Sequence, residues 1–142
     1  MNDEQAIRDL VARYADAVNR RDESAWRDTW ATEGKWDLRG QLVEGRDAVV
    51  KLWATLMAGL PFVVQLVHSG TVTIAGDSGS GTWYLTELMR TADGGGRLSV
   101  GMYRDTYVRS NGEWRFLLRR YDLLYAGPPD LSGDVFPSPA GR

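Results

Sequence analysis

At Pro61 the spacing of apolar residues changes, and it does not change back. Before this point apolar side chains recur at helical steps; after it they alternate. Helices first and a long run of strands afterwards is the order of an α+β fold, with helices packed on an antiparallel meander.

The first helix is expected from Asp3 to about Arg20. Ile7, Leu10, Val11, Tyr14 and Val18 share one stripe, and Asp3 and Glu4 sit at the positive end of its dipole. Asp22 is expected to cap a short second helix with Trp26 and Trp30 on one face. A break at Glu33-Gly34 leads into a strand over 35–38, and Gly40 begins the turn out of it. The third helix starts at Gly45-Arg46-Asp47, with Val49, Leu52, Trp53, Leu56 and Met57 as its buried stripe, and Gly59 and Pro61 stop it.

Strands are expected over 62–69, 71–75, 81–90, 97–109 and 113–125, and Asn111-Gly112 is the sharpest hairpin signal between them. Four or five strands this long can curl into a cone-shaped partial barrel around the helices, open at one end, and that is the expected shape. The proline-bearing stretch after Tyr125 cannot continue the sheet, which gives one domain over 1–126 and an irregular tail over 127–142. Both faces of 97–109 carry apolar groups: Leu98, Val100 and Met102 on one, Tyr103 and Tyr107 beside Asp105 on the other. One face is expected to meet the helices and a cavity. The other meets a second subunit, as a dimer or trimer, or is covered by helices or the tail.

Composition narrows the chemistry. The 142 residues contain no cysteine and one histidine, His68, so thiol nucleophiles, disulfides and thiolate metal sites are impossible. A metal site would need that one imidazole completed entirely by carboxylates, and none is expected. A net charge of −2 with interspersed signs gives no footprint for nucleic acid. Neither a secretory signal nor a membrane-length apolar run is present in the sequence, and a cytoplasmic location is the expectation. Six Trp and six Tyr suit an aromatic-walled cavity or a well-filled core.

His68 follows Val64 and Leu66 on one face of its strand, either as a hydrogen-bonded packing residue or as the one side chain that titrates near neutrality. Asp105 sits mid-strand; facing inward it needs a partner, and opposite an inward His68 it would make a carboxylate–imidazole pair. Tyr14 lies on the apolar stripe of the first helix, as a core residue or a pocket hydroxyl. Trp36, Asp37, Trp83, Glu87, Arg119, Arg120 and Tyr121 are further candidates for the cavity wall. Arg119 and Arg120 must point to opposite faces, and whichever enters needs a carboxylate or an anionic ligand. An Asp–Arg–Asp relay of the epoxide-hydrolysing kind is not supplied by Asp105, Arg119 and Asp122, because Arg119 and Asp122 fall on opposite faces.

The order of motifs is itself informative. Tyr14-Ala15-Asp16-Ala17-Val18-Asn19, the Trp-rich helix, Val43-Glu44-Gly45-Arg46-Asp47, Val67-His68-Ser69-Gly70, Tyr103-Arg104-Asp105-Thr106-Tyr107 and Gly112-Glu113-Trp114 together resemble the SnoaL-like branch of the nuclear transport factor 2-like superfamily. The resemblance covers nearly all of 3–125. It implies a cone with a deep pocket and the chemistry of ketosteroid isomerase, scytalone dehydratase, bile acid 7α-dehydratase, hexachlorocyclohexane dehydrochlorinase or the polyketide cyclases. It likens Tyr14 and Asp105 to the isomerase's tyrosine and protonated aspartate, and His68 to the base of the dehydratases. Asn19 stands where those enzymes have an acid, with Asp16 as a possible substitute; Asp37 lies near the isomerase's base, and Arg119 resembles a pocket arginine of the dehydrochlorinase.

The resulting expectation is a lyase or isomerase without metal or organic cofactor, acting on a small apolar or aromatic, cyclic or polyketide-like molecule. His68, Asp105 and Tyr14 are its expected catalytic residues. Asn19, Trp36, Asp37, Trp83, Tyr103, Tyr107 and Arg119 are its expected ligand-binding residues. The alternative is a non-catalytic binding or subunit-docking domain of the same fold. An open pocket in which His68, Asp105 and Tyr14 converge would favour chemistry.

Overall fold

The computed structural model describes residues 2–134 and 136. Helix α1 spans Asp3–Arg20, and its cap is Asn2, whose side chain accepts from the Gln5 amide at 2.7 Å. Ile7, Leu10, Val11, Tyr14 and Val18 are buried along it as expected. The exposed side carries Glu4–Arg8, Asp9–Arg13 and Asp16–Arg20 pairs one turn apart, which contribute little beyond solubility. Helix α2 (Glu23–Arg27) is capped by Asp22, again as expected.

Trp30 departs from expectation: it begins strand β1 (Trp30–Leu38) rather than extending α2. The Thr29 hydroxyl closes the helix on the Trp26 carbonyl, and the Thr29 carbonyl accepts the Phe116 amide, which draws the chain into the sheet at once. Strand β2 (Gln41–Glu44), absent from the sequence reading, folds back on β1 through Arg39 and Gly40, both at positive φ. Helix α3 spans Arg46–Ala58. Its buried stripe is Val49, Val50, Trp53 and Met57; Leu52 is only partly buried and Leu56 is exposed, so the helix is rotated from the expected stripe.

The meander has four strands where five were expected: β3 (Phe62–Ala75), β4 (Ser78–Arg90), β5 (Gly96–Ser110) and β6 (Glu113–Gly127). The expected strands 62–69 and 71–75 are one strand with a register shift between Val67 and Gly70. The sheet order is β2-β1-β6-β5-β4-β3, antiparallel except where β1 runs parallel to β6. Shifts in β3 and along the β5–β6 pair bend these long strands, and the sheet curves without closing. Helices α1 and α3 cover its inner face. Strand β6 runs into the expected tail as far as Gly127, residues 128–134 have no regular structure, and the expected tail over 137–142 lies outside the described residues.

The core between helices and sheet is aromatic. Trp26 stacks on Trp53 with centroids 4.7 Å apart, and Trp30, Trp36, Tyr14 and Phe116 pack edge-on or tilted around this pair. Trp26, Trp30 and Phe116 thus fill the fold, whereas Tyr14, Trp36 and Trp53 belong to the same cluster and also reach a cavity.

Candidate functional site

Alternation along the strands decides which side chains meet the cavity. On β3 the inward positions are Val63 and Gln65; on β4 they include Trp83, Leu85, Glu87 and Met89; on β5, Tyr103, Asp105 and Tyr107. The mouth lies between this sheet and the end of α3. There a cavity of about 300 Å³ opens, walled by Tyr14, Trp36, Trp53, Met57, Met89 and Tyr121, with Gln65, Glu87 and Tyr103 as its other polar groups. It sits at the low end of ordinary small-molecule sites, roughly 300–1,000 Å³.

Among the described residues Glu87 is the only ionisable carboxyl on this wall. Burial pushes its pKa above the usual carboxylate range, and the Gln65 amide beside it works in the opposite direction. The Tyr14 and Tyr103 hydroxyls are 3.4 Å apart, and the Gln65 amide nitrogen is 3.4 Å from the Tyr103 oxygen, at the long end for a hydrogen bond. Burial raises Tyr14 to about 12, with Arg119 pulling it back; Tyr103 is pushed well above its ordinary value, chiefly by burial. Both stay protonated near neutral pH and so can donate. Asn19 clamps the start of β3 to α1: its amide donates to the Gln65 carbonyl at 3.0 Å and its oxygen accepts the Gln65 N–H at 2.7 Å.

Behind the Tyr14–Tyr103 pair lies a sealed polar network. Arg119 donates to Asp105 through Nε at 2.8 Å and Nη2 at 3.0 Å, with both side chains fully buried. The Tyr107 hydroxyl donates to Asp105 at 2.8 Å and accepts from the Trp83 indole at 2.8 Å. Burial pulls the Arg119 pKa down, but Asp105 and the two tyrosines outweigh it, and the guanidinium is held firmly charged.

The expected site residues thus separate. Tyr14, Trp36 and Tyr103 line the cavity as expected, and Asn19 positions it through the β3 backbone. Asp105, Arg119, Tyr107 and Trp83 form the layer behind it. Asp37 is turned away: its carboxylate accepts the Gly40 amide in the β1–β2 turn at 2.8 Å and lies 3.8 Å from Arg120. His68 is exposed, its Nε2 2.8 Å from the Thr86 hydroxyl on the outer face of the sheet. The expected His68–Asp105 pair is not made, because the face shared by Val64, Leu66 and His68 is the outer one, and Asp105 spends both oxygens on Arg119 and Tyr107. Asp105 accepts from Arg119 and Tyr107 behind the cavity wall and does not line the cavity, while burial pushes its pKa up and Arg119 works against that rise. Asp122 pairs outside with Arg104, as the opposed faces of Arg119 and Asp122 required.

Gln65 was missed in the sequence. Counting alternation from Val63 rather than from the more apolar Val64–Leu66 register would have found it. Among the described residues no cluster of three His, Cys, Asp or Glu could hold a metal, and no helix is long and apolar enough to cross a membrane.

Comparison with known proteins gives the same architecture. A model of the SnoaL-like domain matches residues 1–120. The crystal structure of LinA is 22% identical over 96% of this chain and 94% of its own, with a TM-score of 0.84. The hexachlorocyclohexane dehydrochlorinase LinA-type3 from Novosphingobium barchaimii is 19% identical over 94% of each chain, with a TM-score of 0.85. A provisional scytalone dehydratase from Novosphingobium aromaticivorans is 15% identical over 98% of this chain and 93% of its own, with a TM-score of 0.82. At these identities the likeness is one of fold. No curated protein matches the chain.

Proposed function

The chain belongs to the SnoaL-like domain family, and we propose that it works there as a cofactor-independent lyase or isomerase, moving a proton on a small, largely apolar cyclic or polyketide-like molecule. The observation that carries this reading is Glu87: a lone carboxyl with a raised pKa on an aromatic wall, in the same cavity as two protonated tyrosines. A carboxyl tuned upward by burial is a stronger base once ionised and shares its pocket with apolar carbon rather than water. The fold shared with proteins named as a dehydrochlorinase and a scytalone dehydratase supports the same class.

In this mechanism Glu87 takes a proton from a carbon next to a carbonyl or leaving group. Gln65 orients the carboxylate, and the Tyr14 and Tyr103 hydroxyls donate to the oxygen on which charge develops. Each such donor is worth roughly 10²-fold in rate. Glu87 then returns the proton to the product carbon in an isomerisation, or gives it to the leaving group in an elimination. Glu87 takes the part that the sequence alone gave to His68.

The test is exchange of ring-ketone α-protons in deuterium oxide, read by mass spectrometry over a panel of cyclic ketones and polyketides. Glu87→Gln is expected to lower exchange by at least about 10²-fold, and His68→Ala to leave it within about twofold of wild type. Loss of exchange in His68→Ala with full activity in Glu87→Gln would overturn the assignment. Binding of the panel without exchange in wild type would favour the ligand-binding domain instead.

The reading includes self-association. Leu66, Tyr84 and Tyr125 are exposed on the outer face of the sheet, with Val100 and Met102 half-buried between them. An apolar strip of this kind supports pairing with a second copy through the sheet.

A further inference from the structure

We propose that Arg119 is a positioning residue of the pocket: a buried, fixed positive charge against the rings of Tyr14 and Tyr103 that makes their hydroxyls stronger donors to a ligand oxygen gaining negative charge. The inference rests on the reading of this cavity as the site.

The geometry is specific. The guanidinium carbon lies 3.6 Å from the Tyr103 ring centroid, 4.4 Å from that of Tyr14 and 4.2 Å from that of Phe116. Arg119 has no exposed surface and does not line the cavity, so a ligand cannot reach it. Its charge can act only through the rings that separate it from the ligand. A cation against an aromatic ring draws π density toward itself, and in a phenol this favours the ionised oxygen over the protonated one and sharpens the O–H as a donor.

Asp105 does not cancel this effect. It fixes the guanidinium by two bonds and is itself fixed by Tyr107 and, through it, Trp83, so the plate cannot rotate away. The remaining nitrogen, Nη1, has no hydrogen-bond partner among the described residues. Arg119 lowers the Tyr14 pKa more strongly than Asp105 raises it, and it lowers the Tyr103 pKa as well. Screening by water is weak in a layer this deep.

The test needs no turnover. The ionisation of bound 2-naphthol is followed by absorbance and fluorescence in wild type, in the double variant Arg119→Met with Asp105→Leu, and in Asp105→Asn, with naphthalene as a probe of shape alone. Replacing the ion pair together avoids leaving a lone buried charge, and Asp105→Asn keeps the cation while removing its counter-charge. The double variant is expected to raise the pKa of bound 2-naphthol by about one unit, a tenfold change in its ionisation constant, with naphthalene affinity unchanged. Asp105→Asn, whose amide oxygen can still accept from the guanidinium, is expected to lower that pKa below its wild-type value; Arg119→Lys, which keeps both charges but loses the flat contact with the two rings, is expected to raise it and decides the matter if the other variants do not fold. Adding Tyr14→Phe and Tyr103→Phe removes the difference between wild type and the double variant. An unchanged pKa, an equal loss of both probes, or no binding of either probe to wild type overturns the proposal. Glu87→Gln leaves the Arg119 effect in place, so a failure of proton exchange and a failure of this inference are separate results.

Discussion

Arg119 is fully buried and Glu87 half-buried on the cavity wall, and their surroundings meet the cost of lost water in opposite ways. Arg119 keeps its charge because Asp105 supplies a bidentate carboxylate; a lone buried charge left by removing either partner would cost about 3–5 kcal/mol. Among the described residues Glu87 makes no ion pair, and burial instead pushes its pKa up. The consequence for stability has a definite sign. A carboxyl whose pKa is higher folded than unfolded contributes fully at low pH, and that contribution is lost as pH rises from its unfolded value, about 4.3, through the folded one. Chemical denaturation between pH 4 and 8 is expected to show wild type losing stability relative to Glu87→Gln as pH rises; parallel curves would mean that Glu87 ionises as freely as in water. The costs of burying Asp105 and an inward arginine were both legible in the sequence as needs for a partner. That each is the other's partner was not, since the two lie on different strands and meet only in the register Asp105 opposite Arg119.

At the scale of elements, the local signals that held were those with a local cause. Asp22 caps α2, the Asn111-Gly112 turn joins β5 to β6, and the α1 stripe is buried as its period requires. Where a neighbour intervened, the local reading failed: Trp30 left its helix for the β6 edge, and α3 turned its stripe toward β1. Gly70 shows the physics most plainly. It read as a strand end, yet the strand continues through it, and its missing side chain admits the Trp83 ring. A Cβ there would overlap that ring and lie 2.6 Å from the Thr82 carbonyl oxygen. Gly70→Ala is therefore expected to destabilise the protein by about 1–3 kcal/mol in urea denaturation, with altered Trp83 packing visible in near-ultraviolet circular dichroism. A neutral Gly70→Ala would mean that β3 shifts there at little cost.

For the whole molecule, the open curve of the sheet creates two apolar surfaces of different fate. The inner one is closed by α1 and α3 except at the cavity; the outer one stays open to solvent among the described residues. If that strip pairs copies, a charge on it acts on assembly more than on the fold. Tyr84→Glu, at a position 48% exposed, is expected to change monomer stability by less than about 1 kcal/mol while lowering the mass seen in sedimentation velocity at micromolar concentration. A wild-type protein that sediments as a monomer would remove the outer face from consideration as an interface.

The sequence by itself determined the class of the fold, most element positions and the set of chemically capable residues, because period, caps, turns and the scarcity of histidine are properties of a chain read a few residues at a time. It also offered Tyr14, Trp36, Tyr103 and Tyr107 as candidates for a cavity wall, of which the first three line the cavity and Tyr107 stands behind it. Only the tertiary structure decided which face of β3 is the inside. Both faces are apolar, and a shift of one residue in alternation exchanges His68 and Leu66 for Gln65 and Val63. That choice moved the candidate base from the one histidine to Glu87, and it is made by packing between strands and helices far apart in the chain, where no local pattern reaches.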